Sequence, residues 1–234
     1  MWRRLWWRRD GRAPWLRRVF LVLFAFLVPI PILLILVFRF VPVPFTPQMV
    51  IAVVTFNPVR YHWVDNLPPA LGRAVIGSED QRFCTHHGFD WGSIDKAIRD
   101  HERGRRLRGA STISQQTARS LFLVPERSWL RKGVEAYLTV LLEALWPKKR
   151  ILTAYLNLVD FGHGNFGADA AAETYFGKSA AALSPQQASR LAAILPDPGE
   201  WSAAKPGPYV RHRTVAIGSR IHQVRRDDLD WCVR

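Results

Sequence analysis

Cysteine is almost missing from this chain: Cys84 and Cys232 are the two cysteines in 234 residues. That number excludes a disulfide framework, and their spacing matches no metal motif. Both read as bland residues, with one bridge between them the most that an oxidising compartment could add. Acidic residues are scarce as well, 19 against 33 lysines and arginines, for a formal charge of +14. Such an excess points to a polyanionic partner: nucleic acid, an anionic membrane surface or a phosphorylated substrate. Charge alone does not choose among them. Alternating strand patterns are few, and no internal repeat or low-complexity tract is present. Disorder is excluded by an apolar content of 48%, and the length allows one ordinary domain plus a terminal element.

What is abundant comes first in the chain. Val19 to Phe38 runs without one charged or strongly polar residue, and as a helix it would span roughly 30 Å, one bilayer core. Pro29 and Pro31 should kink it, which membrane helices tolerate. Arg3, Arg4, Arg8, Arg9, Arg12, Arg17 and Arg18 precede the run, whereas Arg39 is the single base in the twenty residues after it. This asymmetry places the N-terminus in the cytoplasm, and Trp2, Trp6, Trp7 and Trp15 suit an interfacial belt. The run is longer than a signal-peptide core and no A-x-A-like site comes after it, so it reads as an uncleaved anchor. The resulting division is a cytoplasmic basic segment over 1–18, a transmembrane signal anchor over 19–38, a Pro-rich, extended spacer over 39–47 and one domain over 48–234.

Helical periodicity dominates that domain. Trp129 to Trp146 carries a broad apolar stripe ended by Pro147, and Pro185–Leu195 and Pro208–Val224 each open on a proline. These patterns imply a mainly α fold.

Three stretches carry chemistry. In the first, Glu79 and Asp80 end a short apolar run and precede Phe83, His86 and His87. Adjacent carboxylates beside apolar walls can diverge in pKa and supply a general base, although a solvated acidic turn is the commoner outcome for such a dipeptide. The histidines read as structural, since no HExxH spacing accompanies them. In the second, Ser111 or Thr112 could cap a helix whose first amides would attract an anion, with Gln115, Gln116 and Arg119 at helical spacing to bind sugar hydroxyls or phosphate. In the third, Arg127, Arg131 and Lys132 precede Glu135 within an apolar helix. An intrahelical pair with Lys132 is the plain reading, but a carboxylate in such a stripe is costly unless partnered or functional. Glu143 is a weaker candidate.

These residues also carry a resemblance. Glu79-Asp80-x-x-Phe83-x-x-His86-x-Gly88, the run from Gly109 to Gln116, and Arg131-Lys-Gly-Val-Glu135 resemble the ordered signature of the peptidoglycan glycosyltransferases, glycosyltransferase family 51. Ile151–Asn157, Tyr175–Lys178 and Leu195–Pro198 continue it, so it covers about Pro42 to Arg213. No second large domain comes after it, as in the monofunctional biosynthetic members that lack transpeptidase activity. The resemblance implies a lysozyme-like helical domain and a growing glycan transferred, with inversion, to form β-1,4 linkages in cell-wall synthesis. Glu79 would deprotonate the 4-hydroxyl of the N-acetylglucosamine of lipid II, and undecaprenyl pyrophosphate would leave. Glu135 would be the second catalytic acid on the donor side. Asp80, Phe83, Ser111, Thr112, Gln115, Gln116, Arg119, Arg127 and Lys132 would bind substrate, the cations neutralising the leaving group. A divalent cation, Mg or Mn, is implied near Glu135 without a ligand signature of its own; no organic cofactor is.

The implied partners are lipid II, the nascent strand, the membrane and other wall-synthesis or division proteins, not nucleic acid, with the domain on the periplasmic side of the inner membrane. One departure stands out: the family usually shows Lys-Asn where this chain has Arg119-Ser120, which keeps the charge but changes its geometry. A lytic enzyme that cuts glycan and a noncatalytic scaffold are the rival readings.

Overall fold

A computed structural model describes residues 13–104, 109, 111–126 and 128–234. The basic and aromatic residues expected of the first twelve positions, and Arg127, lie outside these described residues.

Helices α1 (Ala13–Leu27) and α2 (Pro29–Phe38) form the apolar run, and Arg17–Phe38 is long and apolar enough to cross a membrane. They meet at Val28, with φ −119° and ψ −74°. Pro29 and Pro31 remove the amides that would have bonded the carbonyls of Ala25 and Leu27, so the expected kink falls there. The end of α2 is bolted to the helical domain. Trp146 Nε1 donates to Ile35 O at 2.6 Å, Arg39 to Leu145 O at 2.6 Å and Arg150 Nε to Phe38 O at 2.9 Å. The proline-rich stretch is non-helical from 41 to 46 and packs against the domain. Val43 and Thr46 are buried, and Tyr61 Oη donates to Val43 O. Thr46 then caps α3 (Pro47–Val54) by accepting from Met49 N.

The remaining helices are α4 (Pro69–Glu79), α5 (Trp91–Glu102), α6 (Ile113–Phe122), α7 (Trp129–Leu145), α8 (Lys148–Leu158), α9 (Ala168–Phe176), α10 (Pro185–Ile194) and α11 (Pro208–Arg226). Their starts are chemically marked: Asp90, Thr112, Ser128 and Ser184 accept amide hydrogens at the first turns of α5, α6, α7 and α10. Two strands of two residues, β1 (Arg60–Tyr61) and β2 (Asn165–Phe166), pair in parallel.

The core has two parts that matter for the site. In one, α4 packs against α10 and α11 through Leu71, Val75, Ile76, Leu191, Ile217 and Ile221. The approach is close, because a Cβ on Gly77 would stand 2.9 Å from Arg220 Cβ. In the other, α6 packs against α7 and α8 through Ile113, Leu121, Leu142 and Ile151. The C-terminus of α4 and the N-terminus of α6 meet between them.

The two cysteines pair. Cys84, just after α4, is bonded to Cys232 in the 3₁₀ turn Trp231–Val233, with Cα atoms 5.5 Å apart across 148 positions of sequence. This corrects the bland reading: the fold brings two remote residues within bridging reach, which spacing in the sequence does not reveal.

Candidate active site

Glu79 is the last residue of α4, where the apolar turn before it, Val75 and Ile76, is fully buried. Its carboxylate is aimed away from that floor. Arg213 of α11 donates to Oε1 at 3.1 Å, and Gln116 Nε2 lies 3.5 Å from Oε2. Gln116 is itself held by the Tyr155 hydroxyl, which donates to its Oε1 at 3.2 Å. Burial holds the Tyr155 hydroxyl well above the ordinary phenol range, and the negative charges of Glu79 and Asp80 add to this against the opposing charge of Arg119. Tyr155 therefore stays a neutral donor. Glu79 also faces a cleft of about 340 Å³, shared with Ser78, Arg82, Lys96, Ser111 and Arg220.

Asp80, its neighbour, has a different task. The residue is 6% exposed; Oδ2 accepts from Ile113 N at 3.0 Å, and both oxygens lie 3.0 Å from His86 Nε2. Gly88 N donates to His86 Nδ1 at 3.1 Å, so the ring carries its proton on Nε2 and donates it to Asp80. His86 is structural, as expected, and His87 is exposed. The anion that the first amides of α6 meet in the structure is the Asp80 carboxylate.

Other expected contacts are redirected in the same way. Thr112 and Gln115 form a reciprocal capping box, Thr112 Oγ1 accepting from Gln115 N at 3.1 Å and Gln115 Oε1 from Thr112 N at 3.0 Å, while Thr112 Oγ1 also donates to Gly88 O at 2.7 Å. Both are buried, so their polar atoms are spent on the helix start. Phe83 is fully buried, with Lys148 Nζ 4.6 Å from its ring centre. It packs in the core. Glu143 accepts from Ser114 Oγ and, at 2.7 Å, from Lys148 Nζ.

The third stretch forms its own cluster. Glu135 is 1% exposed; Arg131 Nη1 donates to Oε2 at 2.9 Å, and Lys132 Nζ donates to Oε1. Two cations against one carboxylate leave one surplus positive charge. Lys132 Nζ also reaches within 3.5 Å of Ser111 Oγ, which borders the cleft, and Arg131 Nε is a buried donor without a hydrogen-bond partner among the described residues. This surplus beside the cleft suits a leaving group that gathers negative charge. A divalent ion at Glu135 would have to compete with Arg131 and Lys132, each of which already donates to one of its oxygens. Glu135→Gln should lower unfolding free energy by about 1–3 kcal/mol, because it strands two partly solvated cations. Denaturant titration measures this, and an unchanged midpoint would show that the pair is not structural.

Arg119 sits in the last turn of α6, half-buried and close enough to act on Tyr155. Glu79, Asp80, Ser111 and Thr112 share the cleft, whereas Gln116 reaches the site through Glu79, and Lys132 and Glu135 through Ser111. Arg213 and Tyr155 were not singled out by sequence reasoning. Tyr155 lies within the Ile151–Asn157 stretch and Arg213 at the edge of the resembling region, but neither position carried a role there.

The profile of the Transglycosylase family matches residues 50–222. A biosynthetic peptidoglycan transglycosylase of Caulobacter vibrioides is 50% identical over 220 residues, covering 93% of this chain and 96% of that protein. Those of Rhodospirillum centenum and Pseudomonas aeruginosa are 52% identical over 200 residues, covering 84% and 86%, and 47% identical over 226 residues, covering 91% and 94%. The mainly helical architecture agrees with the lysozyme-like helical domain of that family. A helix-borne carboxylate over an apolar floor, a cationic cluster across the cleft and these matches together establish that the chain belongs to the transglycosylase family.

Proposed function

We propose that this enzyme, a peptidoglycan transglycosylase, polymerises glycan strands from a lipid-linked disaccharide, and that Glu79 is its general base. The observation that carries this reading is the position of Glu79, at the cleft edge just after the buried Val75 and Ile76, aimed by Arg213 and Gln116. Glu79 takes the proton of the acceptor N-acetylglucosamine 4-hydroxyl as its oxygen attacks the donor's anomeric carbon. The carbon–oxygen bond to undecaprenyl pyrophosphate breaks with inversion, the electron pair leaves with the pyrophosphate, and a β-1,4 linkage forms. Lys132 and Arg131, with Arg119 on α6, offset the charge that builds on the leaving group. No step runs through a metal.

The energetics favour an already activated donor, because no nucleotide energy source exists outside the cytoplasm. Placement there, with the N-terminus inside, is supported by the arginine asymmetry around Val19–Phe38 and by the Cys84–Cys232 bridge, since disulfides persist in oxidising compartments. The hydrogen bonds from Trp146, Arg39 and Arg150 to the end of α2 would hold the domain against the bilayer that carries its lipid substrate. Strand polymerisation is supported by the relatives, which are named biosynthetic peptidoglycan transglycosylases.

The full chain in detergent micelles, given lipid-linked disaccharide pyrophosphate with and without chelator, is expected to produce lengthening strands in both cases. Precursor left intact while purified cell wall is shortened would make it a lytic enzyme instead. Strand synthesis abolished by chelator would restore the divalent ion to the mechanism.

A further inference from the structure

The face of α11 that supplies Arg213 continues past the base. Positions 209, 213, 216 and 220 lie on one side of a helix. Arg220 lines the cleft and donates to Gly77 O at 3.2 Å, and Arg213 holds Glu79 at 3.1 Å. Tyr209 comes next on that side, about 6 Å further along the axis. It is 59% exposed, and its ring is paired with Trp201 at a centroid distance of 5.0 Å and an angle of 49°. Trp201 is partly buried against the core, so one ring of the pair is fixed and the other is offered to solvent.

The loop that presents Trp201 is also pinned. Trp201 N donates to Asp197 O at 3.0 Å. Gly162, at φ +85°, lies so close beneath that an added Cβ would run into the carbonyl of Pro198. Pro196, Pro198, Pro206 and Pro208 stiffen the segment further. The result is a rigid, uncharged aromatic pair whose Tyr209 ring stands in water beside the residue that holds Glu79.

We propose that Trp201 and Tyr209 form a stacking platform for an N-acetylated hexosamine ring, next along the saccharide from the ring whose hydroxyl Glu79 deprotonates. This rests on the functional reading above. A pyranose presents a flat face of C–H groups that suits the negative face of an aromatic ring, whereas the pyrophosphate belongs with the cations around Lys132. The pair carries no charge and lies on the side of Glu79 reached through α11, not on the side of the Lys132 cluster reached through α6.

Initial rates of strand synthesis test this in the full chain with lipid-linked disaccharide. Trp201→Leu, which keeps apolar bulk, and Tyr209→Ser, at an exposed position, are each expected to raise KM about fivefold to tenfold with kcat within about twofold, and Tyr209→Phe to leave KM unchanged. Binding of a soluble N-acetylglucosamine oligomer by calorimetry should weaken by about the same factor in Tyr209→Ser. A KM within about twofold of wild type in both Tyr209→Ser and Trp201→Leu overturns the platform. A wild type that makes no strands overturns the functional reading, and oligomer binding then decides. No binding, or binding unaffected by Tyr209→Ser, overturns the platform as well.

Discussion

Glu79→Gln is expected to lower the rate of strand synthesis by roughly 10²- to 10⁴-fold, the usual contribution of a positioned general base. The amide has nearly the shape of the carboxylate but cannot accept the acceptor's proton. Its oxygen can still receive the hydrogen bond from Arg213, which now reaches Oε1 at 3.1 Å. The amide nitrogen then faces Gln116 Nε2, the group now 3.5 Å from Oε2, and Gln116 can turn its own amide over. The fold should therefore survive, with a cost near about 1 kcal/mol for the rearranged pair. Rates at saturating substrate, together with denaturant unfolding of the same preparation, separate the two effects. A variant as fast as wild type would remove Glu79 from the chemistry, and a variant that merely fails to fold would be visible in the unfolding curve. Because KM reports binding held in common by ground and transition states, it should move little.

The distinction between a base and its supports shows what the sequence could and could not convey. The helix from Trp129, the stop at Pro147 and the kink at Pro29 obey local rules, periodicity and missing amides, and they stand where those rules put them. Glu79 could be named from the motif, but not its setting. Arg213 is 134 positions away and meets Glu79 through the packing of α11 on α4. Motif membership also mixes residues that meet substrate with residues that hold the shape. Asp80, Phe83, Thr112 and Gln115 lie in the signature, and each also holds the shape of the protein, by a hydrogen bond or by packing in the core. The amphipathic pattern of α6 conveys that its first amides attract an anion, but the acidic partner at a neighbouring helix end is invisible to a window of one helix. Burial and partner assignment are properties of the assembled core, and no pattern along the chain states them.

Breaking the Cys84–Cys232 bridge, by reduction or by Cys84→Ser with Cys232→Ser, is expected to cost about 2–5 kcal/mol of unfolding free energy. The bond closes a loop of 148 positions, for which the chain-entropy treatment gives a value near the top of that range, about 5 kcal/mol. Against a typical total of about 5–15 kcal/mol, this is a large share. Other contacts keep residues 227–234 in place and should limit the loss. Arg73 Nε donates to the buried Asp230 carboxylate at 2.7 Å, and Leu229 N bonds Val224 O at 2.9 Å. The loss should nevertheless reach the site, because Cys84 is five positions after Glu79 and two before His86, the residue that donates to Asp80 and so fixes the start of α6. Released, the segment from Gln81 to Gly88 keeps its anchor at Asp80 but loses its tie to α8 through the Trp231–Val233 turn. Denaturant titration with and without reductant, with thiols counted to confirm reduction, should show the midpoint fall while strand synthesis at low temperature persists. Equal midpoints in the two redox states would mean that the packing of residues 227–234, and not the bond, holds this side of the cleft.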